Sequence, residues 1–159
     1  PVANQLYAGY QDGGTTYAHV ERAGMVQPIR TRELRSRLRQ GKALTVVASR
    51  RHGGDALAKC LARLDQRFPE VETTNMGSSL KLCLVAEGKA DFYPRLAPTS
   101  EWDTAAAQAI VEAAGGLVVD TRLMPLRYNQ KDSVLNPYFY VLGDVSFPWQ
   151  DVLVGIDAT

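Results

Sequence analysis

Apolar positions follow two rhythms along this chain. Over residues 5–27 they come in short β-prone runs set off by turn residues: 6–10, then Asp12-Gly13-Gly14, then 15–20, then Arg22-Ala23-Gly24. Runs bounded in this way predict hairpin strands. From Leu44 onward, apolar runs alternate with helical periodicity. Residues 44–48 form a β-branched run suited to a buried strand, and 55–68 carry Ala56, Leu57, Cys60, Leu61 and Leu64 at helical spacing. A short strand is expected at 71–75. Gly77-Ser78-Ser79 then opens a helix through Leu80, Leu82, Cys83 and Val85 that stops at Gly88. After a strand at 90–94, Thr99 or Ser100 caps a helix over 102–114, ended by Gly115-Gly116. Its Ala105, Ala106, Ala109, Ile110 and Ala113 form a small-residue stripe for close packing. Strands at 117–120 and 138–142 complete an α/β pattern behind a β-hairpin segment. The expected division is 1–29 for the hairpin strands and 30–159 for the α/β domain.

The connector 30–39 is rich in arginine, but only Leu34 and Leu38 share a helical face, so it reads as a solvated linker helix rather than a nucleic-acid patch. The whole chain of 159 residues carries a formal net charge of +1, and its 45% hydrophobic and 22% charged content excludes disorder and coiled coil. Cys60 and Cys83 cannot make a disulfide framework, and with His19 and His52 they lack the spacing of a zinc site. This points to a reducing cytosol. The longest apolar stretches, 44–48 and 80–86, are far short of a membrane span. Pro1-Val2-Ala3 is no ordinary initiator sequence, so either a methionine has been removed or sequence lies upstream.

Three junctions between strand ends and helix starts could carry chemistry, because helix amino termini favour anions at the carboxyl ends of α/β strands. Ser49-Arg50-Arg51-His52-Gly53-Gly54 offers a hydroxyl, two guanidiniums and an imidazole, groups that hold phosphate and that equally suit a solvated basic turn. In Met76-Gly77-Ser78-Ser79-Leu80-Lys81, Lys81 falls in the first helical turn, where it opposes the macrodipole unless an anion is present or it extends into solvent. Glu101-Trp102-Asp103 suits a capping box, and suits a hard oxygen ligand for Mg²⁺.

In order, Ser49-Arg50-Arg51-His52, the run from Gly77-Ser78-Ser79-Leu80-Lys81 to Lys89-Ala90-Asp91, Tyr93-Pro94-Arg95, Glu101-Trp102-Asp103-Thr104-Ala105-Ala106, Pro125-Leu126-Arg127-Tyr128-Asn129 and Leu135-Asn136-Pro137 resemble one family. The family is the bacterial 3′(2′),5′-bisphosphate nucleotidases of the CysQ type, within the inositol-monophosphatase-like superfamily. The resemblance runs from Pro1 to about Gly143, and the tail from Asp144 adds nothing to it.

That resemblance implies the carboxyl-terminal α/β domain of a larger sandwich, preceded by strands that belong to the sheet of an absent amino-terminal half. The family's metal-binding glutamate and Asp-Pro-Leu-Asp-Gly-Thr signature do not occur in this sequence. Carried over by position, Asp103 is a metal ligand that also lies against substrate phosphate, while Ser49, His52, Gly77 and Lys81 contact the nucleotide. The implied reaction is Mg²⁺-dependent hydrolysis, with two or three ions, of the 3′-phosphate of adenosine 3′,5′-bisphosphate or its sulfated relative. It belongs to sulfate assimilation in the cytoplasm, and the resemblance allows peripheral association with the inner membrane. The implied partner is a small nucleotide bisphosphate and not a nucleic-acid polymer. Alternatives within reach are an inositol or sugar phosphate phosphatase, or a non-catalytic nucleotide-binding module. Lacking half of its metal ligands, the isolated chain is expected to be inactive and, with an uncovered face, prone to self-association.

Overall fold

A computed structural model describes residues 4–48 and 54–153 of the chain. Ser49 and His52 lie outside the described residues. Two sheets and the helices between and beside them build four layers. The first sheet is antiparallel in the order β1-β2-β3, from β1 (Gln5–Asp12), β2 (Thr15–Arg22) and β3 (Met25–Pro28). Gly13 and Gly14 make its first turn at φ 54° and 84°, where a side chain would be strained.

The second sheet runs β5-β4-β6-β8-β7, from β4 (Leu44–Val47), β5 (Val71–Thr74), β6 (Phe92–Arg95), β7 (Leu117–Asp120) and β8 (Phe139–Leu142). Strand β4 pairs in parallel with both β5 and β6, and β8 runs antiparallel to its neighbours. Burial of all four residues of β4 matches its unbroken apolar run.

Helices α1 (Leu34–Arg39), α2 (Gly54–Arg67) and α5 (Trp149–Leu153) cover one face of this sheet. Their Leu34, Leu57, Cys60, Leu64 and Trp149 form a core with Leu44, Val46, Phe92 and Tyr140. Helices α3 (Leu80–Ala86) and α4 (Glu101–Ala113) cover the other face and are in turn covered by the first sheet. Here Val85, Val111 and Ile110 meet Ala18, Val20, Val118 and Val141 in a second core.

Two expectations need correction. Arg32, just before α1, is not solvated: it grips the buried Asp91 with two bonds of 2.6 and 2.8 Å, and Arg37 Nε lies 3.7 Å from the same carboxylate. Face arithmetic cannot reveal a partner 59 residues away. Of the small-residue stripe, Ala105 and Ala106 are exposed, and only its far end packs closely. There a Cβ on Gly9 would fall 2.6 Å from the Ile110 Cα, so β1 meets α4 backbone to backbone. Beyond Gly143, where the resemblance ends, α5 packs Trp149 against Phe92 with centroids 5.1 Å apart.

The outer face of the first sheet remains bare. Leu6, Tyr10, Tyr17 and Val26 are exposed there, with the Tyr10 and Tyr17 rings stacked at 5.2 Å. Its inner face is tied to α3 by one carboxylate. Glu87, buried at the end of α3, accepts from the Tyr7 hydroxyl and from Arg22 Nη2 at 2.7 Å, and pairs with Lys89 at 2.8 Å. Burial alone would raise its pKa, but Arg22, Lys89 and Tyr7 outweigh burial and hold it below the usual carboxylate range. A carboxyl with a depressed folded-state pKa adds stability above its unfolded value of about 4.3, and that stability is lost as pH falls through the folded value. Glu87→Gln is therefore expected to cost about 1–3 kcal/mol at neutral pH, and the gap to the parent should close in acid. Urea unfolding at neutral and acid pH checks this; an equal gap at both would show that the charge plays no part.

Candidate active site

The order of the second sheet locates its ligand site. From β4 the chain passes through α2 to β5 on one side, then through α3 to β6 on the other side of β4. Such a reversal leaves a crevice at the carboxyl ends of the strands between diverging connections. Ala48, Asn75 and Arg95 to Ala97, which end or follow β4, β5 and β6, all border one cleft of about 500 Å³. Leu57, Met76 and Leu96 give it apolar walls, and Asn75, Gly77, Lys81 and Arg95 give it polar ones.

A second cleft of about 370 Å³ adjoins it, bordered by Ser78, Ser79, Trp102, Asp103 and Thr104. Lys81, Tyr93 and Arg95 line both. The site is thus a divided trough with two cations in its partition.

Those cations are uncompensated among the described residues. Neither Lys81 nor Arg95 forms an ion pair among the described residues. Arg95 donates through Nη2 to the Pro98 carbonyl at 3.0 Å, while its Nε is buried without a partner among the described residues. Burial, and then the nearby Arg95 charge, hold the Lys81 ammonium below its usual pKa. Burial also lifts the Tyr93 phenol above its usual value against the opposing pull of Arg95, so the hydroxyl keeps its proton as a donor. A basic partition with a spare buried donor is what an oxyanion needs.

The structure changes the reason for singling out Lys81. Helix α3 has only seven residues, and Ser79 caps it without a side-chain hydrogen bond, so the macrodipole argument has little force. The neighbour Arg95 supplies the argument instead. Residue spacing assigns Arg95 no contact, and only the order of the strands puts it beside Lys81. Gly77 is required neither by φ nor by packing, since no atom lies within 4 Å of where its Cβ would be. Its bareness leaves that wall open to close approach.

On the far wall, the sequence could not choose between a cap and a metal ligand for Asp103, and the geometry permits both. Oδ2 accepts from the Ser100 N–H at 2.9 Å, the reciprocal arm of a capping box, while the carboxylate lines the second cleft and Oδ1 forms no hydrogen bond among the described residues. Glu101, by contrast, accepts from the Asn129 N–H at 2.9 Å and faces Lys131 at 3.7 Å, so its carboxylate is already engaged. Asp103 fits one position in the oxygen shell of a hard cation. Among the described residues no three His, Cys, Asp or Glu side chains gather to complete it. No helix among them is long and apolar enough to cross a membrane.

Comparison with known proteins identifies the family of the chain. The model of the inositol monophosphatase family matches residues 1–143. The 3′(2′),5′-bisphosphate nucleotidase CysQ of Escherichia coli strain K12 is 42% identical over 141 residues, covering 89% of this chain and 51% of that protein. Its counterpart in Salmonella typhimurium is 46% identical over the same span. The crystal structure of CysQ from Bacteroides thetaiotaomicron superposes with a TM-score of 0.71 at 37% identity, covering 90% of this chain and 55% of that one. The chain therefore spans about half the length of the curated relatives it matches.

Removing the Arg95 charge should return Lys81 toward an ordinary lysine pKa. Lysine side-chain NMR titration of Arg95→Ala measures this, and an unmoved Lys81 would mean that burial alone sets its value.

Proposed function

The chain belongs to the inositol monophosphatase family, and we propose that the protein it is part of is a phosphatase for the 3′-phosphate of adenosine 3′,5′-bisphosphate and its sulfated relative. The products are AMP and adenosine 5′-phosphosulfate, which gives the protein a cytoplasmic place in sulfate assimilation. The observation that carries this reading is the pair of uncompensated cations, Lys81 and Arg95, standing between two clefts. Similarity to proteins named as bisphosphate nucleotidases supports the choice of substrate.

In this reading the cleft walled by Leu57, Met76 and Leu96 takes the nucleoside, with Gly77 admitting it closely. Inositol or a sugar would leave that apolar wall unused. Lys81 and Arg95 hold phosphate oxygens, and the protonated Tyr93 adds a donor. Ser49 and His52 are proposed as further nucleotide contacts from the motif they belong to.

Asp103 would supply one ligand to Mg²⁺ across the second cleft, the other carboxylates coming from sequence beyond these 159 residues. When bound, Mg²⁺ supplies an activated water and neutralises charge on the leaving oxygen. Without metal, Asp103 acts differently: it repels the phosphate that Lys81 and Arg95 attract. The cations then set affinity and the carboxylate makes productive binding depend on the metal.

Two measurements test this. Calorimetric titration of the chain with AMP in the absence of Mg²⁺ should show binding that Lys81→Ala weakens by about tenfold or more, the scale of a lost charge-assisted hydrogen bond; inositol monophosphate should bind more weakly. No heat with AMP would reject the nucleotide site. The purified chain should also release negligible phosphate from adenosine 3′,5′-bisphosphate with Mg²⁺, because one carboxylate holds the ion poorly. Family-like turnover, with contaminating enzyme excluded, would overturn that half of the proposal.

A further inference from the structure

The segment between β7 and β8 crosses the amino end of α4 and is fastened there along its length. The Glu101 N–H donates to the Val134 carbonyl at 2.8 Å, the Asn136 N–H donates to the Thr99 carbonyl at 2.9 Å, and Ser100 and Leu135 form an antiparallel bridge. The Asn129 N–H holds the Glu101 carboxylate from the same segment.

The centre of this attachment is a side chain. Asn136 is buried, at 9% exposure, and its Nδ2 lies 2.9 Å from the Ser100 carbonyl, 2.9 Å from Thr104 Oγ1 and 3.2 Å from Thr99 Oγ1. Thr104 passes the constraint on, donating to the Glu101 carbonyl at 3.3 Å and lying 3.2 Å from the Tyr128 hydroxyl. One amide therefore grips residues on both sides of Asp103 without touching it.

We propose that Asn136 is a positioning residue for Asp103: by fixing Thr99, Ser100 and Thr104 it holds the helix cap, and so the carboxylate, at the wall of the second cleft. The proposal rests on the reading of Asp103 as a metal ligand. Its physical basis is the looseness of helix ends, whose first N–H groups lack intrahelical partners. A ligand carboxylate must be held to within about 0.5 Å to be useful, and Asp103 is exposed on a first turn with one hydrogen bond of its own. The order it needs comes from the buried amide behind it. Engaging Glu101 with Asn129 and Lys131 also keeps a neighbouring carboxylate from competing for the ion.

The probe is Mn²⁺ alone, which takes the same oxygen ligands as Mg²⁺, titrated into the 159-residue chain and followed by NMR. Selective broadening of the Trp102 indole and of the Ser100 and Thr104 amides is expected in the parent and should vanish in Asp103→Asn. Asn136→Ala should need about tenfold more Mn²⁺ for the same broadening and should exchange the Ser100 and Glu101 amides about tenfold faster or more, with α2 unchanged. Should Asn136→Ala fold poorly, Thr104→Val removes the shared hydroxyl with little change of shape and should act alike, while Thr104→Ser should restore parental behaviour. Parental Mn²⁺ response in both Asn136→Ala and Thr104→Val, or no selective broadening in the parent, would overturn the proposal. AMP calorimetry separates this from the nucleotide reading: Mn²⁺ broadening without AMP binding would reject the substrate while leaving the role of Asn136 intact.

Discussion

One buried carboxylate organises the α/β half of this molecule. Asp91, 1% exposed at the entrance to β6, accepts two bonds from Arg32 and a third from the Thr45 N–H at 2.8 Å. Its own N–H donates to the Thr45 carbonyl and its carbonyl accepts from the Gly143 N–H. A charge so far from water persists only where geometry satisfies nearly every lone pair, and removing one partner from such a pair costs several times what the pair adds when intact. The bidentate fork of arginine meets that demand as a lysine could not. Through this one group, the connector, β4, β6 and the end of β8 are set in register. Arg32 also bonds Thr45 Oγ1, which donates to Glu72 on β5, so the network crosses the sheet to its edge.

That network lies at the start of β6 and the candidate site at its end. Carboxylates at the entrance are satisfied: Asp91 pairs with Arg32, and Asp144 caps α1 through the Leu34 N–H at 2.8 Å while taking Ser146 on its other oxygen. Charges at the exit are open, because Lys81 and Arg95 face a trough with no carboxylate paired to them among the described residues. Burial, and then the Arg95 charge beside it, hold the unpaired Lys81 ammonium below its usual pKa. A fold that satisfies one end so fully and leaves cations unpaired at the other concentrates positive potential where a ligand would enter.

Much of this was legible in residue order. Periodicity found the strands and the three helices from Leu44 to Gly115 because each has an apolar face matched to one layer. The hairpins followed from Gly13, Gly14 and Gly24. What escaped were facts about partners. Arg32 looked solvated because its carboxylate lies 59 residues on. The exposed Ala105 and Ala106 looked like packing positions because alanine fits either environment, and only the close approach at Gly9 shows which end of the stripe is used. Arg95 lacked a stated role until the order of the strands put it beside Lys81. Asp103 could not be divided between cap and ligand, since one residue name conceals two oxygens with different neighbours.

That division of oxygens bears on what the proposed metal-ligand role of Asp103 would require. A carboxylate awaiting partners from another segment would be expected to wander, and in a piece of a larger fold its loop would be the first part to lose order. Here α4 is wedged between both layers: Val111 and Ile110 are buried on it, β1 meets its backbone through Gly9, and the β7–β8 segment binds its first turn. The geometry of Asp103 is therefore set by contacts wholly within this chain, through Ser100, Thr104 and Asn136. Ligands from elsewhere would meet a carboxylate already in place, and the entropy of ordering it is met during folding rather than at metal binding. If Asp103 ligates Mg²⁺ as proposed, affinity for the ion would depend on how many further oxygens arrive, while its location would depend on Asn136 and the helix it holds.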